Sequence, residues 1–203
     1  MQRVIAYIDG YNLYYGLREK GWKQFYWLNV QALVKRLLKE DQELVFTKYF
    51  TAMVKLPEDK RKRQELFLEA LETLDNLRIY YGHYLSNPVT CQQCGHSYET
   101  HHEKQTDVNI AVEMMKDAFQ DSFDTALLVS GDSDLAGVVR TILDMFPCKR
   151  VVVAFPPRRI SSVLRSTASA YVHIGRDSLS KSVFPDEVIK SGDHILRRPD
   201  RWR

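Results

Sequence analysis

Residues 3–12 read RVIAYIDGYN. Val4 to Ile8 is an unbroken apolar run that stops on the carboxylate of Asp9, with Gly10, Tyr11 and Asn12 beyond it. A continuous run of this kind, not an alternating one, predicts a strand covered on both faces, the usual state of strands in parallel sheets. The same signature recurs in TALLV at 125–129 and in RVVVAF at 150–155. Residues 43–54, 77–85 and 170–175 also read as strands, rich in β-branched and aromatic side chains.

Between these runs the apolar spacing is helical. Residues 11–21 predict a short helix ended by Gly21, and 29–40 a helix capped by Asn29. Residues 57–76 predict a long helix opening on Pro57, and 106–121 an amphipathic helix with Thr106 as its cap. Further helices are expected at 133–146 and 159–169. Strand and helix thus alternate, which predicts an α/β fold. It is a Rossmann-like three-layer sandwich, with a mostly parallel central sheet and helices on both faces. Ligands in such folds bind beyond the carboxyl ends of the strands, where strand order reverses. Asp9 stands at one such end, and Asp132 and Asp134 just past another.

The chain has 203 residues, 44% of them apolar, which suits one α/β domain with a modest addition. The domain is expected over 1–175, with a Cys- and His-rich insertion at about 86–102 and a partly mobile extension at 176–203. Apolar runs too short for a bilayer, and a start unlike a secretory signal, predict a cytoplasmic protein with no membrane partner. Three cysteines argue against a disulfide framework. Charge is segregated: residues 99–134 carry nine acids against Lys104 and Lys116, whereas 147–175 carry five basic residues and no acid. An acidic centre beside a basic segment suits a metal site with a phosphate-binding rim.

The acids are the sharpest signal. At helical spacing Asp107 shares its face with Ile110, Ala111, Met114 and Ala118, and a carboxylate placed there needs a cation or several hydrogen bonds. In VSGDSDLAG, residues 129–137, a buried strand meets a tight turn and two acids two positions apart. Plainer readings exist too: Asp107 as a cap of its own helix, Asp132 or Ser133 as the cap of the helix that follows, and Asp9 as the end of its strand. Together, Asp9, Asp107, Asp132 and Asp134 offer the oxygen-rich set that Mg²⁺ or Mn²⁺ prefers.

Three stretches, YIDGYNLYYGL, EKQTDVNIAVEM and LLVSGDSDL, resemble in order the motifs of the NYN domain family, a PIN-like group of metal-dependent nucleases that includes LabA-like proteins. The resemblance covers about residues 3–175. It implies a PIN-like fold and a metal-dependent endoribonuclease with RNA as substrate. Asp9, Asp107, Asp132 and Asp134 would hold one or two Mg²⁺ or Mn²⁺ ions, with Asn12 beside them and Ser130 and Thr106 lining the site. A metal-bound water would then attack the phosphodiester in line. Lys104, Arg158 and Arg159 are candidate phosphate contacts, and Tyr11, Tyr14 and Tyr15 can stack on bases or pack their own helix. The alternative is a non-catalytic or regulatory RNA-binding NYN module. A homo-oligomer is compatible with either.

CQQCGHSYETHH at 91–102 carries Cys91, Cys94, His96, His101 and His102, a set from which a structural Zn²⁺ site can be drawn; His83 is a further candidate. Cys148 is read as packing. Two other classes lack their motifs. A haloacid-dehalogenase-like enzyme would want an acid where Tyr11 stands, and a dinucleotide site would want a Gly-x-Gly-x-x-Gly loop in place of DGYNLYYG.

Overall fold

The computed structural model describes all residues except 55, 91–93, 95–96, 191 and 193, and describes 83–90 and 97–104 by backbone alone. The chain begins with β1 (Gln2–Asp9), α1 (Gly10–Glu19), a 3-10 turn (Lys23–Phe25), α2 (Val30–Leu37), β2 (Gln42–Thr51), α3 (Glu58–Glu72) and β3 (Leu77–Tyr81). Next come β4 (His83–Thr90), β5 (Ser97–Lys104), α4 (Thr106–Phe119), β6 (Thr125–Val129), a 3-10 turn (Ser133–Leu135) and α5 (Ala136–Met145). The last part holds β7 (Arg150–Phe155), α6 (Ser162–Thr167), β8 (Ala170–His173), α7 (Arg176–Ser180), β9 (Glu187–Lys190), β10 (His194–Arg197) and a 3-10 turn (Asp200–Trp202).

Six strands form one sheet in the order β3-β2-β1-β6-β7-β8, every pair parallel. The chain runs outward from β1 to β3, then returns to place β6 on the other side of β1, so strand order reverses between β1 and β6. This is the doubly wound arrangement that opens a crevice at the carboxyl ends of those two strands.

β1 explains why the fold takes this form. Its side chains alternate between two cores: Val4, Ala6 and Ile8 enter one, Ile5 and Tyr7 the other. The first core is closed by Leu13 and Leu17 of α1, Leu33 and Val34 of α2 and Leu71 of α3. The second is closed by Ile110 and Met114 of α4, Val139 and Ile142 of α5 and Leu164 of α6. Burial of a Val, Leu or Ile is worth about 1.5–3 kcal/mol, so a strand apolar on both faces is driven to the centre.

Some local expectations need correction. The strand expected over 77–85 breaks at Gly82: β3 joins the main sheet and β4 leaves it. Residues 86–102, expected as an irregular insertion, lie for the most part in β4 and β5, an antiparallel pair in a sheet of their own. Thr106 is not a cap but the first residue of α4; the cap is Gln105, at φ 79°. Asn29 does cap α2, its side chain accepting from the Ala32 amide at 2.9 Å.

The chain's last stretch packs back on the first core. β9 and β10 pair antiparallel, and Val188 and Leu196 are buried there. Trp202 lies against Tyr26, Trp27 and Phe67, with ring centroids 5.8, 6.3 and 6.3 Å away. Among the described residues no helix is long and apolar enough to cross a membrane.

Candidate functional site

Asp9 ends β1 and is almost wholly buried, 4% exposed. It caps α1: one carboxylate oxygen accepts from the Asn12 amide and the other from the Ser130 hydroxyl, both at 2.9 Å. Ser130, just past β6, also accepts from the Asp132 amide at 3.0 Å. The Asn12 side-chain oxygen accepts from the Gly131 amide at 2.8 Å. These four bonds lock the tip of β1 to the tip of β6 across the point where strand order reverses. Gly131 is required there, because a Cβ would stand 2.6 Å from the Arg159 carbonyl oxygen.

Asp132 turns back on its own chain, accepting from the Asp134 amide at 3.0 Å, and so caps the 3-10 turn it precedes. Asp134 is exposed, and Asp107 is half-buried in the first turn of α4. Asp9, Asp107 and Asp132, with Asn12, Thr106 and Arg159, line a cavity of about 180 Å³. Burial pushes the Asp9 pKa up to about 6, opposed by its two hydrogen bonds and supported by Asp107 and Asp132. Burial also raises Asp107, with Asp132 and Asp134 adding repulsion.

This geometry corrects the expected metal chemistry. Among the described residues no group of three or more His, Cys, Asp or Glu side chains can hold a metal ion. The physical reason is visible in the bonds: Asp9 and Asp132, which the sequence offers as ligands, are engaged as caps, and Asp134 faces solvent. The four-aspartate site for Mg²⁺ or Mn²⁺ is therefore not formed, and the metal-dependent endoribonuclease it would support does not follow. The expected Zn²⁺ fares no better: no such group exists among the described residues. Cys91 and His96 lie outside them, as do the side chains of His83, His101 and His102, while Cys94 is an exposed free thiol.

Of the expected phosphate contacts, Arg158 is exposed, at φ 58°. Arg159 pairs with Glu19 and lies over the Tyr15 ring, 5.9 Å from its centroid. The Lys104 side chain lies outside the described residues. Tyr11, Tyr14 and Tyr15 pack on one another, with centroids 6.0 Å apart for Tyr11 and Tyr15 and 5.4 Å for Tyr14 and Tyr15. Tyr15 nevertheless keeps 38% of its surface exposed.

The sequence did not single out the larger neighbouring cavity, of about 530 Å³, which shares Tyr11 and Tyr15 with the acidic one. Among the described residues five cationic side chains line it, Arg18, Lys23, Lys60, Arg63 and Arg201, and no acidic one does. Its aromatic walls include Tyr14, Tyr26 and Trp202. Burial, then Tyr14, pushes the Tyr26 hydroxyl up to about 12, so it stays a hydrogen-bond donor at neutral pH.

The strand order, with a polar crevice at the β1/β6 switch, defines a Rossmann-like α/β protein of PIN-like architecture. Within that class the chain belongs to the NYN domain family, which matches residues 3–175. It is 29% identical over 177 residues to 6-hydroxy-3-succinoylpyridine 3-monooxygenase of Pseudomonas putida, an alignment covering 69% of this chain and 55% of that protein. The chain thus spans about half the length of that curated relative. A solved structure, of a Vibrio parahaemolyticus protein of unknown function, is 22% identical with a TM-score of 0.55. The match covers 87% of this chain and 94% of that one, and it supports the fold alone.

Proposed function

We propose that the protein is an RNA-binding NYN module without a preformed metal centre, acting by holding unpaired RNA and not by cutting it. The observation that carries this reading is the face of α1. Tyr11, Tyr14, Tyr15 and Arg18 recur at helical spacing and all line the cationic cavity, while Tyr11 and Tyr15 also line the acidic one. Bases stack on aromatic faces at about 1–3 kcal/mol each without regard to sequence, and cations beside them neutralise the backbone. Arg159 lies over the Tyr15 ring at the edge of the acidic cavity. Ser130 and Thr106, both buried, support the site from beneath.

The test is binding of a single-stranded RNA at low and moderate salt, with EDTA or Mg²⁺, beside Asp132→Asn. Binding is expected to weaken with salt, to be unchanged by EDTA and to leave the RNA intact. Asp132→Asn should bind at least as tightly, because it removes a negative charge from the rim. Degradation of the RNA in Mg²⁺, or binding abolished by EDTA, overturns the reading.

A second reading is favoured by the size and lining of the larger cavity. Small-molecule sites typically enclose about 300–1,000 Å³, and the curated relative is named for a pyridine carrying a succinoyl chain. On this reading the cavity takes a heteroaromatic carboxylate. Titration with 6-hydroxy-3-succinoylpyridine decides it: saturable heat supports it, and none at millimolar concentration removes it.

A further inference from the structure

We infer that the cationic cavity holds a single nucleotide unit, a planar base carrying a phosphate, either as a free nucleoside monophosphate or as the terminal residue of an RNA strand. The RNA-terminal form rests on the RNA-binding reading above; the free form stands without it.

Charge is the first ground. The five cations come from separate parts of the fold: Arg18 from α1, Lys23 from the following turn, Lys60 and Arg63 from α3, and Arg201 from the last turn. Arg63 and Arg201 share one acid, Asp59, at 2.9 and 3.0 Å. Among the described residues Arg18, Lys23 and Lys60 make no ion pair. Surface cations on solvated helices usually find acids one turn away, as Lys62 and Arg61 of the same helix do with Glu58 and Glu65. Convergence of cations on a cavity with no carboxylate among the described residues of its wall selects an anion, and three charges without an ion pair suit a phosphate dianion better than a single carboxylate.

Shape is the second ground. Tyr14 and Tyr26 stand with ring centroids 5.0 Å apart, and Trp202 meets Tyr26 edge-on at 5.8 Å. These rings give a flat ligand faces to lie on, while the cations sit toward the rim, where Arg18, Lys23, Lys60 and Arg201 are exposed. A volume of about 530 Å³ admits one base with its sugar and phosphate, and it excludes a duplex.

The experiment is calorimetric titration of the intact chain with each nucleoside monophosphate and its nucleoside. Alongside it, RNA oligomers with a terminal phosphate are compared with the same oligomers ending in a hydroxyl. Monophosphates are expected to bind at least tenfold tighter than nucleosides. Lys60→Ala and Arg18→Ala, both at exposed positions, are expected to weaken the monophosphate about tenfold without changing the unfolding midpoint. Oligomers with a terminal phosphate should bind tighter than those without, and free monophosphate should compete with them. If RNA binds but the terminal phosphate, added monophosphate and Lys60→Ala all leave it unaffected, the RNA-terminal form is wrong and the RNA-binding reading survives. If monophosphates bind and RNA does not, the assignment holds for the free ligand and the RNA-binding reading falls. Equal affinity for nucleoside and monophosphate, or binding of neither, overturns the assignment outright.

Discussion

The Asp9 carboxylate accepts hydrogen bonds from the Asn12 amide and the Ser130 hydroxyl, yet burial outweighs both and pushes its pKa up to about 6 from 3.8. A raised pKa means that the folded state holds the proton more tightly than the unfolded chain does. The associated stability is complete below about pH 3.8 and is lost as pH rises through about 6. Asn at this position keeps an acceptor for the Asn12 amide and carries no charge to desolvate. Asp9→Asn is therefore expected to be more stable than the parent at pH 7.5, by up to about 3 kcal/mol, with the gain shrinking toward zero at pH 4. Urea unfolding at both pH values measures this; a variant that loses equal stability at both would show that the charge of Asp9 does not set its contribution. Asp9, Asp107 and Asp132 line one cavity. The sequence could not show that backbone amides and a serine hydroxyl already occupy oxygens of Asp9 and Asp132, because capping and metal ligation draw on the same residue types at the same helix starts.

α4 carries Thr106 and Asp107 to the site, and a buried ionic network holds its other face. Lys48 of β2 reaches Glu113 and Asp117, each at 2.6 Å; Tyr7 donates to Asp117 at 2.6 Å and Tyr80 to Glu113 at 2.8 Å. Burial alone would lower the Lys48 pKa, but its two carboxylate partners raise it; the same contacts lower Glu113 against its own burial. Removing one member of a buried ion pair costs about 3–5 kcal/mol, because the remaining charge is stranded. Lys48→Met strands two carboxylates, so a loss of that order is expected at pH 7.5. An undiminished unfolding midpoint at pH 7.5 would show the network to be dispensable. At this scale the sequence was largely legible: continuous apolar runs became the central strands, and Asn29 and Gly21 marked a helix start and end. The network was not, since helical spacing puts Glu113 away from the apolar face of α4. Only the approach of Lys48 from a neighbouring strand makes it an inner residue.

At the scale of the whole molecule, the cationic cavity joins segments far apart in the chain, and this is why the sequence hid it. Arg18, Lys60 and Arg201 each read as an ordinary solvated charge until α1, α3 and the last turn meet over the first core. The last turn is held by Arg198, which donates to the carbonyls of Gln24 at 2.6 Å and of Trp202. Trp202 closes the aromatic cluster around Tyr26, Trp27 and Phe67. Trp202 is only half-buried, so Trp202→Ala should fall below the about 3–5 kcal/mol typical of a buried aromatic, at about 1–3 kcal/mol. The same change removes one wall of the cavity and the ring beside which Arg201 is placed. Trp202→Phe keeps an aromatic face and should restore most of the stability and of the nucleoside monophosphate affinity. Urea unfolding and calorimetry on the two variants separate the roles of this turn. If Trp202→Ala lowers stability while nucleotide affinity stays at the parental value, the turn is a strut for the first core. Loss of both, rescued by Phe, makes the chain's last turn part of the binding site.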